Sequence, residues 1–239
     1  MKTRVDEIAN DVYRLSTFVA DMPPSGFTFN QYLIAAEQPL LFHCGGRALY
    51  SAVSAAVATI VDLDRLRWIS FGHVEADECG SMNDWLAHAP GARVAHGAVA
   101  CMVSLNDLAD RPPRPLADAE VLELGDYRVR WIDTPHVPHA WESGLMFEEV
   151  TKTLFTGDLF TQIGDGPALT RDSIVDAAIA AEEGFGATAL TPATAPTIRR
   201  LKALHPSRLA VMHGSCFEGD CAAELEKLAA YFEQRLHAA

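Results

Sequence analysis

The chain has 239 residues, 49% of them hydrophobic and 21% charged, enough to bury a sizeable core in one domain spanning 1–239. Nineteen Lys and Arg against thirty-two Asp and Glu leave a formal charge of -13, which repels phosphate backbones and anionic lipid heads and argues against nucleic acid and membrane surfaces as partners. No apolar run approaches the roughly 20 residues that span a bilayer, the first residues lack the apolar segment of a signal peptide, and the five cysteines form no CxxC pair, so a soluble, cytoplasmic chain with reduced thiols is expected.

Ile8, Val12, Tyr13 and Leu15 around an Asn10-Asp11 turn predict an opening hairpin between Val5 and Val19, broken by Asp21 to Gly26. Phe27 to Ile34 and Leu40 to His43 read as two further strands. Leu49, Val53, Val57 and Ile60 recur at near-helical spacing and predict an amphipathic helix over Ala48 to Ile60. A strand from Trp68 leads to His73. Ser81 to His88 reads as a helix, Arg93 to Val94 as a short strand, and Val99 to Leu105 fits strand or helix. The prolines between Asp110 and Pro115 supply no backbone donors and predict a loop. Ala119 to Leu124, Tyr127 to Ile132, Ser143 to Phe147 and Thr153 to Phe155 form a meander with short connections such as Gly125-Asp126. Asp172 to Glu183 is predicted helical with Asp172 as its cap. Ala195 to Leu204 is a helix, Leu209 to Met212 a strand, and Gly219 to His237 a long terminal helix. The alternation sets helices against sheet faces.

The richest stretch follows Trp68, Ile69 and Phe71. The apolar run ends at Gly72, and His73, Glu75, Asp77 and Glu78 then fall within six residues. His73 and Glu75 share one side while the chain is extended, and the turn brings Asp77 and Glu78 round to a second position, so one loop serves two metals. His136 and His139, Asp158 and His213 each follow another strand-like run, and ligands at successive strand ends converge on one sheet edge. Imidazole nitrogen and carboxylate oxygen are what divalent first-row metals take at sites with open positions. Glycines beside the candidates (Gly72, Gly80, Gly157, Gly214) let backbone approach closely. Cys79 and Cys216 lie near them and are alternative soft ligands. Trp68 and Trp131 are expected in the core, His88, His96, His205 and His237 at the surface, and Trp141 either walls the site or packs. No GxSxG elbow or Walker loop supports serine-nucleophile or nucleotide chemistry.

With these residues in this order, the chain resembles the metallo-β-lactamase superfamily, whose pattern is H-x-H-x-D-H followed by a distant His, a Gly-Asp aspartate and a last His. Glu75 in place of the second His resembles the di-iron branch, the flavodiiron proteins and their single-domain oxygen-binding relatives. The likeness runs from Phe29 to Gly214. It implies a four-layer αββα sandwich of the α/β (α+β) class. It also implies His73, Glu75 and His139 on a first metal, Asp77 and His213 on a second, and Asp158 between them. The step from His139 to Asp158 and Ser143 beyond His139 favour His139 over His136, which is left to orient a ligand or a bound molecule.

Two positions depart from the branch. Glu78 stands where the family has a His; if it ligates, the second site becomes oxygen-rich and suits iron or manganese better than zinc, and if it does not, that site is weak or empty. His43 stands where the superfamily has an Asp, and is expected to hydrogen-bond the Asp77 or Glu78 carboxylate.

The resemblance implies two divalent ions, iron preferred and manganese or zinc as alternatives, that bind or reduce O2 or a related small molecule. No flavodoxin-like module is found in this chain, so no flavin is expected here and multi-electron turnover draws on an external electron donor. A second reading is a metallohydrolase of ester, thioester or lactone bonds, with Glu75 and Glu78 lowering Lewis acidity. A third is a metal-stabilised binding protein without turnover. Substrate and any oligomer stay open.

Overall fold

Asp11, at a φ of 54°, turns the chain between β1 (Thr3–Ala9) and β2 (Val12–Val19), which pair antiparallel as the apolar alternation predicts. The computed structural model describes residues 2–238. β3 (Phe27–Ile34) and β4 (Leu40–Phe42) continue antiparallel, and β5 (Trp68–Ser70), β6 (Arg93–Gly97) and β7 (Arg114–Leu116) then add in parallel, giving a seven-stranded sheet in chain order. β4 and β5 are buried along their whole length, and the unbroken apolar run of β4 follows from being covered on both faces.

Before β5 the chain makes α1 (Tyr50–Val57), shorter than the predicted Ala48–Ile60 because Arg47–Leu49 is a tighter 3₁₀ turn. After β5 come α2 (Ala76–Cys79) and α3 (Met82–His88). The ambiguous stretch after β6 is helical: α4 (Ala98–Ala100), a π turn over Cys101–Leu105, then α5 (Asn106–Leu108). The predicted proline loop ends in a strand instead. Pro115 lies in β7 opposite His96, and the missing N–H is tolerated because β7 is the edge of its sheet.

The second sheet begins with the expected meander, β8 (Val121–Glu123), β9 (Arg128–Asp133), β10 (Gly144–Glu148) and β11 (Thr153–Phe155). β13 (Arg208–Ala210) joins β11 in parallel, and β14 (Cys216–Glu218) and β12 (Leu169–Thr170) complete seven strands in the order β12-β14-β13-β11-β10-β9-β8. Its outer face carries α6 (Val175–Phe185), α7 (Thr194–Arg200) and α8 (Cys221–Ala238). Asp172 does not cap α6. The buried Glu224 of α8 does so, accepting the Ile174 N–H at 3.0 Å and the Ser173 hydroxyl at 2.7 Å.

Three buried apolar clusters fill the three interfaces of this stack. Val53, Val57, Trp85 and Leu86 pack helices on the first sheet; Tyr32, Phe42, Trp131 and Phe155 join the two sheets; Leu209, Leu225, Leu228 and Phe232 pack α8 on the second. Full burial of such side chains contributes about 1.5–3 kcal/mol each. The result is the expected αββα sandwich. Loops after β5, β9, β11 and β13 open at one edge between the sheets.

Candidate metal centre

His73 leaves the end of β5 with its ring 3% exposed, its Nε2 2.8 Å from Glu75 Oε2 and 2.9 Å from His139 Nε2. His139 Nε2 is 3.1 Å from the same Glu75 oxygen, and Asp158 Oδ2 lies 3.5 Å from His139 and 3.7 Å from His73. All four ligand atoms fall within 4.8 Å of one another. Asp158 turns its other oxygen, Oδ1, to within 3.2 Å of His213 Nε2, and Asp77 Oδ2 approaches the same nitrogen at 3.4 Å. One carboxylate thus stands between two ligand groups.

The spacing suits cations. Ligands about 2.0–2.2 Å from a shared metal lie roughly 3–3.6 Å apart. Without a positive charge, lone pairs of two imidazoles and two carboxylates would face each other. Protons supply it in the metal-free chain. Burial draws the His73 pKa down, but Glu78, Glu75 and Asp158 push it up to about 12; burial likewise opposes His213, which Asp158 and Asp77 push up to about 10. Hydrogen bonds from His139 and His73 hold Glu75 well below the usual carboxylate range. Asp158 Oδ1 has no hydrogen-bond partner although buried, and a cation would satisfy it.

The rings are oriented from behind. His213 Nδ1 is 2.8 Å from the Thr28 carbonyl, which accepts its proton and leaves Nε2 facing Asp77 and Asp158. On His73 the orienting group is Glu78. This residue is not brought to the cluster: fully buried, it accepts the Gly72 and His73 N–H groups through Oε2 at 2.6 and 2.9 Å, and Oε1 lies 3.3 Å from His73 Nδ1 and 3.4 Å from His43 Nε2. Burial opposes its ionisation, yet His73 and His43 hold its pKa well below the ordinary value. The physical reason lies in α2. Asp77 and Glu78 are successive residues of a helical turn and point in different directions, so only one can face the cluster. A Cβ on Gly72 would come within 3.1 Å of Glu78 Oε2 and 3.2 Å of the Gly144 carbonyl, which explains the glycine. His43 thus faces Glu78, one of the two carboxylates expected as its partner, at 3.4 Å without forming the expected hydrogen bond, while its Nδ1 lies 3.2 Å from the Asn30 carbonyl.

The loop between β9 and β10 separates the two histidines that follow β9. Val137 accepts the Thr134 and Ser143 hydroxyls at 2.7 and 3.0 Å, and the His136 N–H donates to Ala140 at 2.8 Å; this folds the loop so that His139 points in while His136 is exposed. Cys79 packs against the first core and burial raises its thiol to about 12, while Cys216 is buried 3.1 Å from the Tyr32 hydroxyl, so neither thiol joins the cluster. Trp141 is exposed and does not wall the centre. His96, expected at the surface, is fully buried between Phe71 and Trp131, at 4.8 and 4.6 Å between ring centroids.

Two sets of residues escaped sequence reasoning. Asn30 donates to the Val211 and Gly214 carbonyls, both at 2.9 Å, and Tyr32 donates to Val211 at 2.6 Å, so β3 of one sheet fixes the His213 loop of the other. The pair Asn30-Gln31 inside an apolar strand was the available signal. The second set lines a cavity of about 280 Å³ that opens on the cluster between α6, α8 and the sheet edge, with Phe27, Phe160, Phe185 and Phe232 among its walls. Nothing local marks these side chains as neighbours.

A family model described as ODP family beta lactamase matches residues 27–214. The chain belongs to this family. Among the relatives of this chain, the rubredoxin-oxygen oxidoreductase of Megalodesulfovibrio gigas is 23% identical over 226 residues, covering 90% of this chain and 56% of that one. A diflavin flavoprotein of Synechocystis sp. is 28% identical over 138 residues, covering 56% of this chain and 24% of that one. This chain thus spans 24% to 56% of the length of these curated relatives. In structure it superposes on the rubredoxin oxygen:oxidoreductase of Desulfovibrio gigas with a TM-score of 0.84 at 19% identity, over 97% of this chain and 62% of that one. A flavodiiron core from Synechocystis sp. gives 0.81 at 21% identity, over 99% and 61%. These likenesses establish the metallo-β-lactamase fold of flavodiiron cores.

Proposed function

We propose that this chain holds two divalent ions, iron preferred, and binds or reduces O2 or a related small molecule. The observation that carries this reading is Asp158, whose two oxygens face separate ligand groups, His73-Glu75-His139 on one side and Asp77-His213 on the other. Iron suits a donor set of three imidazoles and three carboxylates, since carboxylate-rich sites favour harder, redox-active ions over those bound by thiolates. The names of the relatives, an oxygen oxidoreductase and a flavodiiron core, support it further.

The chain's own residues have definable tasks. The Glu78 carboxylate, with Oε1 3.3 Å from His73 Nδ1, favours a proton on that nitrogen and would leave Nε2 free for the first ion; the Thr28 carbonyl, 2.8 Å from His213 Nδ1, would do the same for His213. The apolar walls beside Phe27 and Phe160 keep bulk water from the open side of the site. When bound, a pair of ferrous ions supplies the electrons and open coordination positions that O2 chemistry needs. Sustained reduction then draws on an external electron donor.

The test is metal content per chain after anaerobic purification without added metal or chelator, with O2 and NO titrations followed by visible absorbance. Two irons per chain, one in His213→Ala, and oxygen-sensitive absorbance are expected. A colourless zinc protein that cleaves activated esters and ignores both gases would replace this reading with the hydrolytic one.

A further inference from the structure

The two ligand arms meet at Asp158, and they also meet behind the cluster. From His73 the path leaves by Nδ1, the ring nitrogen turned away from Glu75 and His139, and reaches Glu78 Oε1 at 3.3 Å. That oxygen lies 3.4 Å from His43 Nε2, and neither of these two buried atoms has a hydrogen-bond partner elsewhere. On its other side, His43 Nδ1 is 3.2 Å from the Asn30 carbonyl. Asn30 then holds the second arm three times: its N–H donates to the Met212 carbonyl, and its side-chain amide to the Val211 and Gly214 carbonyls, all at 2.9 Å. His213 stands between Met212 and Gly214.

The backbone is bent to put His43 there. Strict alternation after Phe42, which faces the other sheet, would send the next side chain to the helix-covered face. Instead His43 takes a left-handed φ of 65°, rare for a residue with a side chain, while its N–H stays on the Ser70 carbonyl at 2.8 Å. Its ring therefore lies between the sheets beside Phe42 and Tyr32, at 4.4 and 6.3 Å between ring centroids. β3 and β4 make their last paired contact at Tyr32 and Phe42, so the Asn30 carbonyl has no ladder partner on that side and meets the His43 ring. We infer that His43 is a positioning residue shared by both arms, fixing His73 through Glu78 and the His213 loop through Asn30. This rests on the two-ion reading above and adds to it a residue outside the cluster.

Cobalt(II) is the probe, with affinity read by calorimetric titration and ligand geometry by the visible absorption bands. Asp77→Ala with His213→Ala leaves the His73 arm to be read alone, and Glu75→Ala with His139→Ala leaves the His213 arm. Asparagine places a side-chain donor near the Nδ1 position of histidine, and glutamine places one near Nε2. His43→Asn keeps the contact with Asn30 and should weaken cobalt(II) about tenfold at the His73 arm alone. His43→Gln keeps the contact with Glu78 and should weaken it about tenfold at the His213 arm alone. His43→Leu should weaken both, and each loss should come with a shift of the absorption bands. Asparagine accepts the left-handed backbone, so His43→Asn serves if His43→Leu fails to fold. Phe42→Leu, a buried change beside His43 but off the path, should leave both affinities unchanged. Equal losses at the two arms for every variant, Phe42→Leu included, would make the role of His43 merely structural and overturn the proposal. A wild-type chain that takes up no cobalt(II) defeats the two-ion reading and this inference with it, whereas two cobalt(II) per chain, insensitive to residue 43, defeat the inference alone.

Discussion

Glu78 directly follows Asp77, yet its carboxylate lies on the far side of His73, where it accepts two backbone N–H groups. Glu78→Ala is therefore expected to keep the metal stoichiometry while weakening affinity about 10- to 100-fold, as for other groups that orient a ligand. It should also destabilise the fold by about 2–4 kcal/mol through the two unpaired N–H groups. Elemental analysis with chelator competition measures the first effect and denaturant unfolding the second; a halved stoichiometry would make Glu78 a ligand instead. His96 carries a different prediction. Burial lowers its pKa to about 3, and neither ring nitrogen has a hydrogen-bond partner. The unfolded chain takes up a proton near pH 6.5 that the folded chain refuses, so the neutral ring contributes stability above that pH and loses it as pH falls toward 3. The loss is about 1.4 kcal/mol per pH unit in that window. Metal-free His96→Phe should show a shallower decline in urea midpoint between pH 6 and 4 than the metal-free wild type.

The helices and strands show how tertiary partners adjust local signals. Asp172 has the chemistry of a cap, yet α6 begins at Val175 and the orphan donor at Ile174 is met by Glu224 from a helix fifty residues away. Glu224→Ala should therefore cost about 1–2 kcal/mol and speed amide exchange in the first turn of α6, while Asp172→Ala leaves both unchanged. Likewise Pro115 predicts a loop from local chemistry, and only the position of β7 at a sheet edge makes the strand admissible. The hairpin of β1 and β2 needed no such help, because its turn and alternation are local. The four-strand meander was legible for the same reason.

Across the whole molecule, the two sheets meet at the centre and each supports the other's candidate ligands. Asn30 of the first sheet holds the loop that carries His213 of the second, and the Gly144 N–H donates to the Gly72 carbonyl at 2.8 Å beside His73. On the proposed two-ion site, Asn30→Ala should lower metal content from two toward one per chain and reduce stability by about 2–3 kcal/mol, a combination that a defect confined to one sheet would not produce. Removing the proposed ions from the wild type should lower the melting temperature, and re-addition should restore it by an amount that grows with the logarithm of free metal above its Kd. Among the described residues no helix is long and apolar enough to cross a membrane.

Periodicity and turn chemistry were enough to give most strands and helices, because each signal is written within a few neighbouring positions, while the sandwich and the residues that gather at its edge were implied by the family resemblance that the ordered histidines and carboxylates carry. Which of the adjacent acids faces the cluster, which of the paired histidines points inward, that His96 is buried, and that alanines of α6 leave a cavity were all decided by packing. Those outcomes depend on the directions of side chains and on neighbours a hundred or more residues away, which no stretch of sequence specifies alone.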